Sequence, residues 1–136
     1  MYVDKNLLLD SELDIGDSLT STPSTGSVDL GVARDIAKGK PLYVVIVVDE
    51  TFAGGTSVQF KFISDTVATL ASPTYHVETI AILTADLTAG REPIVLPVGE
   101  IDSDRERYIG LYYTITGTFT AGKITSFITP FPHSNW

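Results

Sequence analysis

The sequence predicts an all-β fold, a small jelly roll, β-barrel or β-sandwich, preceded by a long extended N-terminal arm. Apolar residues recur with a period of two along most of the chain, and the runs that carry this period are rich in β-branched and aromatic residues. Turn signals containing Gly or Pro separate the runs. Strands at this spacing, without long helical segments between them, are typical of these architectures.

Two segments show the alternation of a strand with one buried face. In TSVQFKFIS (residues 56–64), Val58, Phe60 and Phe62 alternate with polar residues. In RYIGLYYTITG (residues 107–117), the alternation predicts a buried face that consists of four residues. These are Ile109, Leu111, Tyr113 and Ile115.

A third segment, PLYVVIVVDE (residues 41–50), is apolar on both faces. This pattern predicts a strand in the middle of a sheet or of a two-sheet core. Three further runs rich in β-branched residues complete the predicted strands. They are TYHVETIAILT (74–84), REPIVLPV (91–98) and GKITSFITPF (122–131).

Turn signals divide these strands. Segments 65–71 and 84–89 are each expected to form no more than one helical turn. Turns are predicted at four places, because Gly and Pro favour the backbone conformations that turns require. These are AGG at 53–55, SP at 72–73, TAG at 88–90 and TAG at 120–122.

The chain is long enough for one domain with its own core and too short for two. From Ser11 to about Gly31 it is rich in Ser, Thr, Asp and Gly and carries only scattered apolar residues. We therefore predict an extended arm and loop over residues 1–30, outside the regular strand pattern, and a single β-domain over residues 31–136.

The composition of the chain argues against some classes of partner and of binding site. The net charge is -8, with a sequence pI near 4.5, and the basic residues form no stripe. Such a chain repels phosphate backbones, so the sequence argues against nucleic acid as a partner. The absence of cysteine excludes disulfides and thiolate metal sites.

The sequence gives no sign of a membrane segment or an export signal. The longest apolar run, LYVVIVV at residues 42–48, suits a strand and is far shorter than the ~20 residues that a bilayer helix needs. The first residues carry an acid where a secretory signal carries positive charge. We therefore expect a soluble protein that is made in the cytoplasm and binds no membrane.

The motif GDSL at residues 16–19 matches the block that carries the nucleophilic serine in one large family of esterases and lipases. That chemistry needs a hydrophobic strand before the serine and a helix after it, and a base within hydrogen-bonding distance. Here a proline follows where the helix should begin, and neither His76 nor His133 stands in the Asp-x-x-His pattern of that family. We interpret Asp17 and Ser18 as turn residues and predict no catalytic residue and no enzymatic activity.

Two groups of residues carry side chains of the types that bind metal ions. Glu100, Asp102 and Asp104 crowd into a few residues, but the glycine turn and the bidentate glutamate of a calcium loop are missing, and arginines lie beside them. We interpret this segment as a solvated loop of mixed charge. His76 and Glu78 share one face of a predicted strand and are interpreted as a surface pair. No metal and no cofactor are predicted.

Two long segments resemble one known family. STGSVDLGVARDIAKGKPLYVVIVVDETFAGGTSVQFKF (residues 24–62) and RYIGLYYTITGTFTAGKIT (residues 107–125) closely resemble the cement, or decoration, proteins of tailed-bacteriophage heads. The resemblance spans roughly residues 5–126, and its segments follow in the same order, which is more specific than one short motif. The tail FITPFPHSNW departs from the family pattern.

The resemblance implies a small β-barrel or jelly roll on the outer surface of a phage head, where it binds and fastens neighbouring major capsid protein subunits. It carries over no catalytic residue and no list of capsid contacts. The location that it implies is the virion, after synthesis in the bacterial cytoplasm. Positions on icosahedral shells lie near symmetry axes, so we also expect self-association, with a dimer favoured and a trimer second.

The N-terminal arm offers candidate partner-binding residues. An apolar arm can lie along a capsid groove, exchange with a sister subunit or pair with a sheet edge. The alternative is that the arm folds back and covers its own domain, and the sequence leaves both open. The apolar residues in question are Tyr2, Val3, Leu7, Leu8 and Leu9.

A carbohydrate-binding β-sandwich module is the alternative function. Tyr108 and Tyr112 share the less apolar face of one predicted strand, and Trp136 is a further aromatic residue. Exposed aromatic rings can stack on sugars, although two aligned tyrosines are more often part of sheet packing or of a protein interface.

Overall fold

The computed structural model describes residues 8–16, 21–29, 42–98 and 107–129. Within these ranges the chain forms ten β-strands and one 3-10 helix, Thr84–Asp86. The strands are β1 Leu8–Asp14, β2 Thr22–Pro23, β3 Val28–Asp29, β4 Leu42–Gly54, β5 Ser57–Asp65, β6 Thr74–Glu78, β7 Ile82–Leu83, β8 Ile94–Val98, β9 Tyr108–Thr116 and β10 Phe119–Thr129.

The strands form two antiparallel sheets that pack together as a β-sandwich. The four-stranded sheet has the order β1-β10-β4-β8, and the other sheet has the order β2-β9-β5-β6, with β3 on β9 and β7 on β5. We call the second one the six-stranded sheet. This architecture confirms the predicted all-β class.

The core lies between the sheets and follows the predicted period of two. Val58, Phe60 and Phe62 on β5 are fully buried. They pair across the sheet with alternating residues of β9, whose buried face includes Leu111 and Tyr113. One face of each strand is therefore removed from water, which is the main driving force for this packing.

The central position predicted for the segment at 41–50 is confirmed. It forms the first part of β4, which lies between β10 and β8. Val44 and Ile46 belong to the core cluster, while Val45, which points to the other face, is also fully buried. Both faces of this first part of β4 are covered, which explains the absence of alternation there.

The turn predictions have mixed outcomes. The AGG segment joins β4 to β5, and the expected helical turn at 84–89 is the 3-10 helix. Segment 65–71 forms a hydrogen-bonded turn and no helix. The predicted turn at 120–122 is wrong, because these residues lie inside β10, where the pairing with β4 shifts register. The chain instead reverses before β10 at Gly117, whose φ of 85° suits glycine.

The described part of the predicted arm joins both sheets rather than lying outside the strand pattern. β1 pairs with β10, while β2 and β3 pair with β9. Leu9 and Ile15 are buried in the core, and two register shifts in β1 break the alternation that would have indicated a strand. The predicted boundary between arm and domain, near residue 30, lies outside the described residues.

Candidate interaction surface

The five predicted partner-binding residues fall in two groups. Tyr2, Val3 and Leu7 lie outside the described residues. Leu8 is half-buried at the start of β1, and Leu9 is 2% exposed in the core. The side chain of Leu9 is therefore used within its own domain, where it is not accessible to a partner.

Several other sequence candidates also lie outside the described residues. These are Asp17, Ser18, Glu100, Asp102, Asp104, His133 and Trp136. Within the described ranges, no group of three His, Asp or Glu side chains is placed to hold a metal ion. In the same ranges, no helix is both long and apolar enough to cross a membrane.

The side chains of His76 and Glu78 both contact residues of β5. Nε2 of His76 lies 2.7 Å from Oγ of Ser64, and the ring packs against Phe62. The carboxylate of Glu78 lies 3.8 Å from Nζ of Lys61. Ser64 is fully buried, so its contact with His76 does not present a nucleophile to a substrate.

Tyr112 contacts Tyr75 of β6. The two rings are perpendicular, with centroids 5.7 Å apart, and Nζ of Lys61 lies 4.9 Å from the centroid of the Tyr75 ring. Burial, and then the neighbouring Tyr112, raise the pKa of Tyr75. Perpendicular rings with a cation already over one of them do not form a flat platform for a sugar.

A buried polar network links the two sheets near the N-terminal segment. Oη of Tyr113 on β9 donates to Oδ2 of Asp10 on β1, over 2.6 Å, and lies 2.9 Å from Oγ of Ser126 on β10. The other oxygen of Asp10 accepts hydrogen bonds from the backbone and side chain of Thr25. Burial, and then the Asp10 carboxylate, raise the pKa of Tyr113 well above its ordinary value. Tyr113, Asp10 and Ser126 are buried, whereas Thr25 is exposed at the end of the network.

The exposed apolar side chains are concentrated in one segment. Among the described residues, the large hydrophobic side chains that are exposed are those of Val67, Tyr75, Ile80 and Leu83, at 46%, 50%, 83% and 56%. All four lie between residues 67 and 83. Three of them, Tyr75, Ile80 and Leu83, lie in β6, in β7 or between the two strands. Exposed apolar side chains concentrated in one part of a fold are typical of a binding surface.

The strands β6 and β7 lie along one edge of the six-stranded sheet. β6 ends the strand order, and β7 pairs only with β5 among the described strands, so both have an edge without a strand partner there. We call β6, β7 and the residues between them the β6–β7 edge. An edge strand offers unpaired backbone N–H and C=O groups to another chain.

A groove of about 560 Å³ lies beside β7. Its mostly apolar lining comes from β7, the residues on either side of it and the turn after the 3-10 helix. The lining residues are Ile80, Ala81, Ile82, Leu83, Ala85, Asp86, Thr88 and Arg91.

The guanidinium of Arg91 is fixed by backbone carbonyl groups. Nη1 donates to the carbonyl oxygen of Asp86 over 2.6 Å, and Nε donates to the carbonyl oxygen of Glu92 over 3.1 Å. No carboxylate among the described residues forms an ion pair with Arg91. The groove therefore combines apolar side chains with a cation held in one orientation.

Comparison with known families shows the family of the chain. Residues 15–128 match the model of the Bbp16 family. The chain belongs to the Bbp16 family. No curated protein matches the sequence. The region shared with Bbp16 contains the complete β6–β7 edge and the groove.

The exposed edge of this Bbp16 family member was not predicted, because the sequence pattern of residues 74–84 indicates one strand. The structure divides them into β6 and β7. A signal was present: apolar residues stand at odd positions at Tyr75 and Val77 and at even positions at Ile80 and Ile82. In one regular strand, apolar residues at odd positions and at even positions would face opposite sides of the sheet. The change from odd to even positions therefore indicates that the strand is interrupted between Val77 and Ile80.

Proposed function

We propose that this chain is a capsid cement, or decoration, protein that binds the outside of a tailed-phage head and stabilises contacts between major capsid protein subunits. The observation that carries this proposal is the concentration of exposed apolar side chains on the β6–β7 edge. A protein that acts by contact needs such a surface, and the side chain of Ile80 is 83% exposed there.

The sequence supports the same proposal. The two segments that resemble phage cement proteins, residues 24–62 and 107–125, include β4, most of β5 and β9, which form the middle of the sandwich. The resemblance therefore concerns the framework that positions the edge. The net charge of -8 also disfavours contact with a packaged genome.

A fastener works through several modest contacts. A protein that touches two or more shell subunits gains effective concentration for the second contact once the first has formed. Weak single contacts then give persistent occupancy. Bound ligand stabilises the state that it binds, so a shell covered with this protein resists heat or osmotic stress better than a bare shell.

The proposed location is the outer surface of the virion, and the proposed partner is the major capsid protein. Self-association belongs to the proposal, with a dimer favoured and a trimer second, because shell positions near symmetry axes favour symmetric binders. Gel filtration with light scattering measures the state in solution. A dimer is expected, and a monomer at high concentration would argue against preformed symmetric units.

Co-sedimentation tests the proposal. Empty, expanded heads assembled from the major capsid protein of the same phage are incubated with increasing amounts of the purified chain. We expect saturable binding and a higher temperature of head disruption. Binding that does not saturate, or heads that are no more stable when covered, would contradict the proposal.

Two assays address the competing classes. A glycan array reports on the carbohydrate-binding alternative, and hydrolysis of a short-chain ester reports on the GDSL motif. We expect neither signal. Ester hydrolysis that disappears in the Ser18→Ala variant, or strong binding to one glycan without binding to heads, would replace the proposed function.

A further inference from the structure

The groove beside β7 combines three features that together describe its occupant. The first is an apolar wall, in which Ile80 and Leu83 are the most exposed large apolar side chains among the described residues. The second is the edge of β7, which has no strand partner among the described strands. The third is Arg91, which lines the same groove.

The apolar wall and the free edge fit an extended peptide segment. A strand that adds to an exposed sheet edge gains backbone hydrogen bonds, and alternate side chains provide specificity. β7 pairs with β5 on its other side through Leu83 with Ser57 and Ile82 with Val58. An added strand therefore extends the six-stranded sheet and covers apolar surface that is now in water.

Arg91 specifies the charge of that segment. Its two contacts, with the carbonyl oxygens of Asp86 and Glu92, leave Nη2 available as a donor. Because the side chain is already held, less conformational freedom is lost when it binds a carboxylate. The carboxylate of Asp86 forms no ion pair with it, although Asp86 lines the same groove.

We propose that the groove beside β7 binds an extended segment of the major capsid protein by strand addition, with an apolar side chain against Ile80 and Leu83 and a carboxylate on Arg91. This inference rests on the proposed function, since it names the contact by which the cement protein holds the shell. The occupant is a strand that carries apolar and acidic side chains. Its carboxylate is complementary to the charge of Arg91 and not to that of the whole chain, which is -8.

The chain has no cysteine, so single cysteines introduced at the surface report accessibility without background. The Ile80→Cys variant places the probe in the groove. The Val67→Cys variant is the matched control, because Val67 is also exposed but does not line the groove. Maleimide labelling rates are measured for each variant, free and bound to empty expanded heads.

We expect head binding to slow the labelling of Ile80→Cys at least about tenfold and to leave Val67→Cys largely unchanged. Equal labelling of Ile80→Cys in the free and bound states, with normal head binding, would overturn the groove proposal and leave the proposed function intact. Loss of labelling in the free protein as its concentration rises would identify a second copy as the occupant and would also overturn it. Failure of the unmodified chain to bind heads would remove the proposed function itself.

Affinity measurements test the role of the cation. Ile80→Ser and Arg91→Gln are each expected to weaken head binding about tenfold, and Arg91→Lys to weaken it less, since it keeps the charge but loses the planar geometry. Val67→Ser is expected to bind normally. All three positions are at least partly exposed, so the circular dichroism and thermal unfolding of the four variants should stay close to those of the unmodified chain. Unchanged affinity of Arg91→Gln would exclude the carboxylate contact.

Discussion

The hydroxyl of Tyr113 donates a 2.6 Å hydrogen bond to Oδ2 of Asp10, although the two residues are 103 positions apart. Both side chains are buried, and they join β1 of the four-stranded sheet to β9 of the six-stranded sheet. A buried carboxylate is stable only if its oxygens are hydrogen-bonded. The contact therefore fastens the N-terminal segment to the sandwich.

Tyr113→Phe removes this donor while keeping the ring. We expect the free energy of unfolding to fall by about 1–3 kcal/mol, because one oxygen of Asp10 then loses its partner in a buried position. Urea denaturation measures the change. The control is Tyr112→Phe on the same strand, where the side chain is only half-buried and a change within about 0.5 kcal/mol is expected. Equal stability of the two variants would show that the contact is not important for folding.

Tyr113 also gives the stability a dependence on alkaline pH. The pKa of its hydroxyl is raised above the ordinary 10.0 in the folded protein, so the unfolded chain releases this proton first. Stability from this group is fully present below pH 10.0 and decreases as the pH rises above it. Urea denaturation across this range should show a smaller decrease for Tyr113→Phe than for the unmodified chain. Parallel curves would contradict the assignment.

Asp65 gives the opposite dependence. Although partial desolvation raises the pKa of its carboxyl, the backbone N–H groups of Ser72, Thr66 and Val67 together hold it below the ordinary 3.8. Stability from this group is present above pH 3.8 and is lost as the pH falls through the lower folded value.

Asp65→Asn tests this acid dependence. It should reduce the free energy of unfolding by about 1 kcal/mol near neutral pH, because the amide replaces one acceptor oxygen. The difference from the unmodified chain should shrink in acid. Asp86→Asn, at an exposed position, is the control and should change little at either pH. A difference between Asp65→Asn and the unmodified chain that stays constant in acid would contradict the prediction.

Gly110 allows the turn after β5 to pack on the six-stranded sheet. A Cβ at this position would lie 2.5 Å from Cδ1 of Leu70 and 2.8 Å from Oγ of Ser24. Gly110→Ala is therefore expected to destabilise the fold by about 1–3 kcal/mol. In a double-mutant cycle with Leu70→Ala, part of this cost should disappear, because the closer obstacle has been removed. Additive effects would show that Leu70 does not limit the space at Gly110.

The periodic parts of the fold were predictable and the irregular parts were not. The apolar residues at alternate positions around Phe60 in β5 and around Tyr113 in β9 are buried, so these two buried faces follow from the sequence. β1 was missed because register shifts disrupt its pattern and because Asp10, a charged residue by sequence, is buried by contacts with distant residues. No local pattern contains a partner that is 103 residues away.

The candidate surface was missed for a related reason. Exposure of an apolar residue depends on whether another element covers it, and the sequence around Ile80 resembles a buried strand. Arg91 gave no signal either, because the carbonyl groups that hold it are part of the backbone of Asp86 and Glu92 and have no sequence signature.

Electron cryomicroscopy of purified virions is the decisive experiment for the role of this chain as a capsid cement protein, because it observes the particle in which the chain is proposed to act. We expect density for the β-sandwich on the outer surface of the head, with its β6–β7 edge against the major capsid protein and each copy touching at least two subunits. Finished heads whose outer surface carries no density for this chain, in a preparation where the protein is expressed, would contradict it.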